Sequence, residues 1–149
     1  MNTASFYERL EPAKLASEFA TWRAASPQCG VLVLLAEADQ SSLPLLQAAA
    51  REQGMPLAGA IFPALLHDGE FKRQGVWLLR LDSMPAHALI AELNQGEAPA
   101  ERIHAALQSE LHDSSAPTTL MLLFDSMLAN IASILEALYQ RLADRVHYM

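Results

Sequence analysis

The apolar residues of this chain form short continuous runs that alternate with longer stripes spaced by three and four residues. Residues 31–36 and 118–124 are apolar at nearly every successive position, which is typical of central strands covered on both faces. Strands of this kind, alternating with amphipathic helices, indicate an α/β fold. We therefore predict a three-layer domain with a mixed, largely parallel sheet and helices on both faces.

Spacing and capping residues also predict the helices. The first predicted helix covers residues 12–25, with Pro12 in its first turn and Leu15, Phe19 and Trp22 on one face. Another four are predicted at residues 43–53, at residues 86–94, at residues 99–111, and from Leu128 to Leu142 after a cap at Asp125 or Ser126.

Two further segments have the pattern of strands. Residues 55–63 contain the apolar run 57–62, with Gly59 inside it, and residues 76–81 follow a polar stretch bounded by glycines. A hairpin-like return at Asp68-Gly69 would make the sheet mixed. Residues 146–149 begin another strand, which a crossover would place parallel to its neighbour but which has no visible partner.

Length and composition limit the class of protein. With 149 residues, of which 52% are hydrophobic, the chain is predicted to form a single domain over residues 1–149. Its formal charge of −7 and the lack of a Lys/Arg cluster argue against nucleic acid as a partner. Cys29 is the single cysteine and is interpreted as a small buried hydrophobe. Lacking a signal sequence and a bilayer-length apolar run, the chain is expected to be cytoplasmic, with no membrane partner.

Residues 57–63, Gly69, Gly75-Val76 and residues 120–125 together resemble the amino-terminal half of a FIST domain. The resemblance extends over about residues 30–149. It implies a non-catalytic sensory domain of an intracellular signal transduction protein that binds a small ligand such as an amino acid. It also implies a carboxy-terminal FIST half as a partner, so we expect this chain to be the front part of a longer protein. The chain departs from the family pattern at Ser126 and at Ala60 and Pro63.

A ligand site is predicted where the strands end, because ligands of open α/β sheets lie beyond the carboxyl ends of strands. An amino acid would suit this place, with its carboxylate at the helix amides near Ser41-Ser42 or Ser126-Met127 and its ammonium at an acidic side chain. Ordinary helix capping and sheet packing are the competing explanations for these residue types. The predicted ligand-binding residues are Glu37, Asp39, Ser41, Gly59, Asp125 and Ser126.

Two other classes of function stay open. A serine hydrolase could use Ser126 at its strand-to-helix turn, but no Gly-x-Ser-x-Gly motif surrounds it and no histidine can be assigned as its base. His104 and His112 lack the partners of a metal site, and neither a metal nor a cofactor is predicted. The third class is a protein–protein interaction or oligomerisation module, in which the strand edge at residues 146–149 would form a homodimer.

Overall fold

The computed structural model describes residues 3–93, 98–112, 118–125 and 127–149. Contacts cluster into two compact units, Met1–Pro85 and Ala86–Met149, where the sequence predicted one domain over residues 1–149. Unit 1 contains most of the regular structure. Its elements are β1 (Thr3–Tyr7), α1 (Pro12–Ala25), β2 (Gly30–Ala36), a 3₁₀ turn (Glu37–Ser42), α2 (Leu43–Glu52), β3 (Leu57–Phe62), β4 (Leu65–His67), β5 (Glu70–Lys72) and β6 (Val76–Leu81).

The main sheet of unit 1 has the strand order β1-β6-β2-β3. Strands β2 and β3 are parallel because α2 carries the chain back across the sheet, as a parallel pair requires. Strand β6 runs antiparallel to both β1 and β2. A turn does form at Asp68 and Gly69, whose φ angles are 51° and 79°, but the hairpin of β4 and β5 is a separate two-stranded sheet. The main sheet is mixed because β6 pairs antiparallel with β2, and not through this hairpin. The α/β class and the mixed sheet are thus confirmed.

The core of unit 1 lies between the two helices and one face of the sheet. Alternate residues of β2, namely Val31, Val33 and Leu35, meet apolar side chains of both α1 and α2 there. On the opposite face the second layer is the β4–β5 hairpin. The ring of His67 stacks on Phe6 at a centroid distance of 4.1 Å and meets the edge of Trp77 at 5.3 Å.

Unit 2 is a small α/β layer around its own core. Strands β7 and β8 pair in parallel across α4, so the predicted crossover to a parallel neighbour is confirmed and residues 146–149 do have a partner. The core joins Ile103 of α3 to Ile134, Leu138 and Leu142 of α4. The elements are α3 (Pro99–His112), β7 (Thr118–Leu120), α4 (Ile131–Leu142), a 3₁₀ turn (Ala143–Arg145) and β8 (Val146–Tyr148).

Two sequence predictions for unit 2 are wrong in their boundaries. The run 118–124 forms a strand only at Thr118–Leu120, and only its alternate residues Leu120, Leu122 and Phe124 pack in the core. Helix α4 begins at Ile131, because Asn130 takes a left-handed conformation with φ of 62° immediately before it. Its start is therefore not capped by Asp125.

The helix predicted at residues 86–94 is also wrong. Residues 86–90 have no regular secondary structure and residues 91–93 form a turn, while residue 94 lies outside the described residues. Leu89, which that helix would have to bury, is 95% exposed. A short helix gains most of its stability from packing a continuous apolar face. In this segment Ile90 and Leu93 pack against the core of unit 2, but Leu89 does not. Among the residues that the structure describes, no helix has the length and apolar character needed to cross a membrane.

Candidate functional site

A surface cleft of about 370 Å³ lies at one end of the main sheet of unit 1. Strands β1 and β2 both end there and β6 starts there, because β6 is antiparallel to each of them. It is therefore at the carboxyl ends of two strands, where ligands of α/β sheets bind. The residues that line it are Tyr7, Glu8, Arg9, Leu10, Leu35, Asp39, Ser42, Gln74, Gly75 and Val76.

Asp39 links two segments that line the cleft, the 3₁₀ turn and the residues before β6. It lies in the 3₁₀ turn after β2, and its Oδ2 accepts a hydrogen bond of 2.6 Å from the backbone N–H of Gly75. Gly75 has a φ of 110°, and a Cβ atom there would lie 2.8 Å from the carbonyl oxygen of Tyr7. Only glycine fits this close approach of two backbones at no steric cost. The start of β6 is thus held against β1 and the turn.

Tyr7 lines another side of the cleft, and its hydroxyl group is held by a residue of α1. Its hydroxyl donates a hydrogen bond to Glu18, which also accepts one of 2.7 Å from Ser5 Oγ. Burial, and then the bond to Glu18 and the charge of that carboxylate, raise the pKa of Tyr7 to about 12. The phenol therefore stays neutral over the physiological pH range.

The polar lining carries charges of both signs. Glu8 and Arg9 follow β1 directly and are exposed, while Ser42 and Gln74 add neutral hydrogen-bonding groups. A guanidinium can bind a carboxylate through two parallel hydrogen bonds, and a carboxylate can accept from an ammonium group. The chemistry of this lining suits a small polar molecule with both a negative and a positive group.

Of the six residues that the sequence predicted for a ligand site, Asp39 lines the cleft. Glu37 and Ser41 lie on the same 3₁₀ turn but are exposed outside the lining. Gly59 lies in the middle of β3, where a Cβ atom would come within 2.1 Å of the carbonyl oxygen of Val33. Its small size is thus explained by sheet packing.

The two remaining predicted residues belong to unit 2. Asp125 Oδ1 accepts a hydrogen bond of 2.8 Å from the N–H of Met127, and the carbonyl of Asp125 accepts one of 3.0 Å from Leu128. Asp125 therefore stabilises a tight turn ahead of α4. Ser126 lies outside the described residues, so both its ligand-binding role and its role as a nucleophile stay predictions.

The backbone amides expected to bind a carboxylate near Ser41-Ser42 are arranged differently from the prediction. The 3₁₀ turn leads directly into α2, and the N–H of Leu43 donates to the carbonyl of Gln40. Ser42 precedes α2 but makes no side-chain capping bond. The first amide of the helix is therefore already paired, and Ser42 contributes to the cleft as a lining residue.

Sequence reasoning missed the segment from Tyr7 to Arg9 as part of the site. Tyr7 is the last residue of β1, a short strand whose apolar pattern does not predict a strand, and Glu8-Arg9 follow it directly. The sequence does contain an adjacent acidic and basic pair, Glu8-Arg9. The position of this pair at the cleft, however, depends on the long-range pairing of β1 with β6. Such pairing is not encoded in local periodicity.

The described residues contain neither a grouping of metal ligands nor an exposed thiol. Among the described residues, no three His, Cys, Asp or Glu side chains are grouped so that they could hold a metal ion. Cys29 is fully buried, with its Sγ 3.5 Å from the Sδ of Met55. It packs as the small hydrophobe that the sequence predicted.

Comparison of the chain with protein-family models, curated proteins and solved structures finds no match. The resemblance to FIST domains therefore stays a prediction from the sequence patterns described above.

Proposed function

We propose that the chain is a non-catalytic sensory domain that binds a small, amino acid-like ligand in the cleft of unit 1. The observation that supports this proposal is the mixed-charge lining at the carboxyl ends of β1 and β2. The resemblance to FIST amino-terminal halves adds the expected context: signal transduction in the cytoplasm, with a carboxy-terminal FIST half as partner. Each of these elements is part of the proposal.

In this proposal the two charges of the ligand meet opposite charges on the lining. Arg9 binds the ligand carboxylate, since a guanidinium offers a fork of donors that matches its two oxygens. Glu8 and Asp39 accept hydrogen bonds from the ammonium group. Asp39 has a second carboxylate oxygen besides the one that Gly75 uses, and a carboxylate can accept several hydrogen bonds at once.

A thermal-shift screen of amino acids and related zwitterions tests the proposal. A ligand present at about 100 times its dissociation constant should stabilise the folded state by roughly 2.7 kcal/mol and raise the midpoint of unfolding. The Arg9→Gln variant keeps most of the side-chain length but lacks the charge, so it should lose this stabilisation. Arg51→Gln is the matched control, because Arg51 is exposed at the far end of α2 from the cleft and should respond as the wild type does.

Two outcomes would count against the binding site. One is that no zwitterion in the panel raises the unfolding midpoint. The other is that Arg9→Gln and Arg51→Gln bind a stabilising ligand equally well, which would place its carboxylate away from Arg9.

A further inference from the structure

Strand β3 forms an outer edge of the main sheet of unit 1 and has the composition of a pairing surface. Its sequence Leu-Ala-Gly-Ala-Ile-Phe contains no charged residue and no proline, and in the described part of the chain no strand pairs with its outer side. Edge strands that stay solvated usually carry lysines, prolines or bulges that block pairing. Here Pro56 and Pro63 stand just outside the strand and leave its six positions open.

The parallel ladder with β2 decides which backbone groups of β3 face outward. The N–H of Val31 donates to the carbonyl of Pro56, and Val31 is the register partner of Leu57. Carbonyls and N–H groups of even-numbered residues of β3 therefore point toward β2. The backbone groups of Leu57, Gly59 and Ile61 point away from the sheet.

We propose that β3 pairs antiparallel with β3 of a second copy of this chain, about a twofold axis that passes beside Gly59. In this register Gly59 faces Gly59 of the second copy and Leu57 faces Ile61 of the second copy. All three outward-facing residues then form hydrogen-bonded pairs, so both copies satisfy the whole edge. A register centred on Ala60 leaves Leu57 opposite Pro63, which has no N–H to donate.

Side chains favour the same register. Leu57 and Ile61 lie on the helix-covered face of β3, since their register partners Val31 and Leu35 belong to the core of unit 1. Ile61 is nevertheless 43% exposed. Pairing about Gly59 places each Ile61 next to Leu57 of the other copy, which buries apolar surface that is otherwise hydrated. The absence of charge on β3 removes any like-charge repulsion at the twofold axis.

A second copy is the partner that this edge fits best, because an isologous contact requires one patch to be complementary to itself. Strand β3 meets this requirement in both its backbone groups and its side chains. The pairing would join two four-stranded sheets into one continuous sheet. This inference is independent of the ligand cleft, which lies at the ends of β1 and β2 and contains no residue of β3.

Sedimentation velocity over a range of concentrations tests the pairing. The wild type should sediment as a species with twice the mass of one chain. Ile61→Lys should raise the dimer dissociation constant at least about tenfold, as loss of about 1.4 kcal/mol would. Ile61→Pro should act in the same way, because it removes an outward N–H and leaves the ladder to β2 intact.

Leu66→Lys is the matched control, since Leu66 is a 59% exposed strand leucine on the hairpin rather than on β3. Far-ultraviolet circular dichroism verifies that each variant is folded. A wild type that stays monomeric at millimolar concentration would overturn the proposal. Equal dimerisation of Ile61→Lys and Leu66→Lys would overturn it as well.

Disulfide cross-linking tests the register. In the Gly59-centred pair, Ala58 faces Ala60 of the second copy at a non-hydrogen-bonded position with Cα atoms about 4.5 Å apart, which suits a disulfide. A mixture of Ala58→Cys and Ala60→Cys chains should form a covalent dimer on oxidation, and neither variant alone should do so. Cross-linking of Ala60→Cys with itself would instead place the axis at Ala60 and overturn the assigned register.

Discussion

At the scale of single residues, the cleft of unit 1 depends on contacts between segments distant in sequence. Asp39 holds Gly75, and Glu18 holds Tyr7 and Ser5. The sequence pointed to Asp39 because it follows a predicted strand, and this residue does line the cleft. The sequence could not identify Tyr7, since the role of this residue depends on the pairing of β1 with β6 and on its contact with α1.

The burial of the Tyr7 phenol, together with its bond to Glu18, predicts a loss of stability at alkaline pH. Because the pKa of Tyr7 is about 12 in the folded protein and about 10 in an unfolded chain, the folded state favours the protonated phenol. The free energy of unfolding should be unaffected below pH 10 and should decrease as the pH rises from about 10 to 12. Unfolding by urea at a series of alkaline pH values measures this decrease.

Tyr7→Phe is the control for that experiment, because it removes the group with the large shift and should make the dependence on pH shallower in this range, with a remainder from Tyr148, whose pKa is also raised by burial. It should also cost about 1 kcal/mol at neutral pH through the lost hydrogen bond. Ultraviolet absorbance of tyrosinate gives a second measure, since the chain has three tyrosines and the variant should lack the one that ionises last. Ionisation of Tyr7 near pH 10 in the folded protein would contradict the burial of its phenol and its bond to Glu18.

At the scale of elements, the sequence predicted those whose apolar pattern is long and continuous. Helix α1, strand β2, helix α2 and strand β3 all lie where their patterns placed them. The predictions failed where local pattern and tertiary packing disagree. The run 118–124 is apolar enough for a buried strand, yet only its alternate residues pack in the core of unit 2.

The close approach of β2 and β3 predicts a cost for any side chain at Gly59. A Cβ atom there would lie 2.1 Å from the carbonyl oxygen of Val33, so Gly59→Ala must shift one of the two strands. The expected loss is about 1–3 kcal/mol in the free energy of unfolding, in the range typical of overpacked interiors. Chemical denaturation at low protein concentration measures it.

Ala60→Gly is the comparison for that measurement, since it changes the next residue of the same strand and adds no atoms. Its cost should be limited to about 0.5–1 kcal/mol of backbone entropy. A Gly59→Ala variant as stable as the wild type would show that β3 does not need glycine for packing, and would reopen the predicted role of Gly59 in ligand approach.

At the scale of the whole molecule, the described chain divides into two units with separate cores. Length and composition predicted one domain over residues 1–149, and neither quantity reports where contacts cluster within a chain. The division falls near Pro85, in a stretch that the sequence assigned to a helix and that the structure shows as irregular.

This division predicts where a protease cuts first. Leu89 is 95% exposed in a segment without regular structure, whereas Phe71 is 81% exposed but lies in the β4–β5 ladder. Backbone that is not hydrogen-bonded in an element fits a protease site more readily. Limited digestion with chymotrypsin, followed by mass spectrometry, should therefore yield fragments 1–89 and 90–149 first. Earlier cleavage after Phe71 would contradict this order.

The central claim is that the cleft of unit 1 binds a small zwitterion, and ligand titration followed by amide chemical shifts tests it most directly. The largest shift changes should occur at Tyr7, Glu8, Arg9 and Gly75, since the N–H of Gly75 is bonded to Asp39 in the cleft wall. Arg9→Gln should weaken the titration at all of these amides together. Shift changes confined to unit 2 or to the outer edge of β3, with none around Gly75, would contradict the claim.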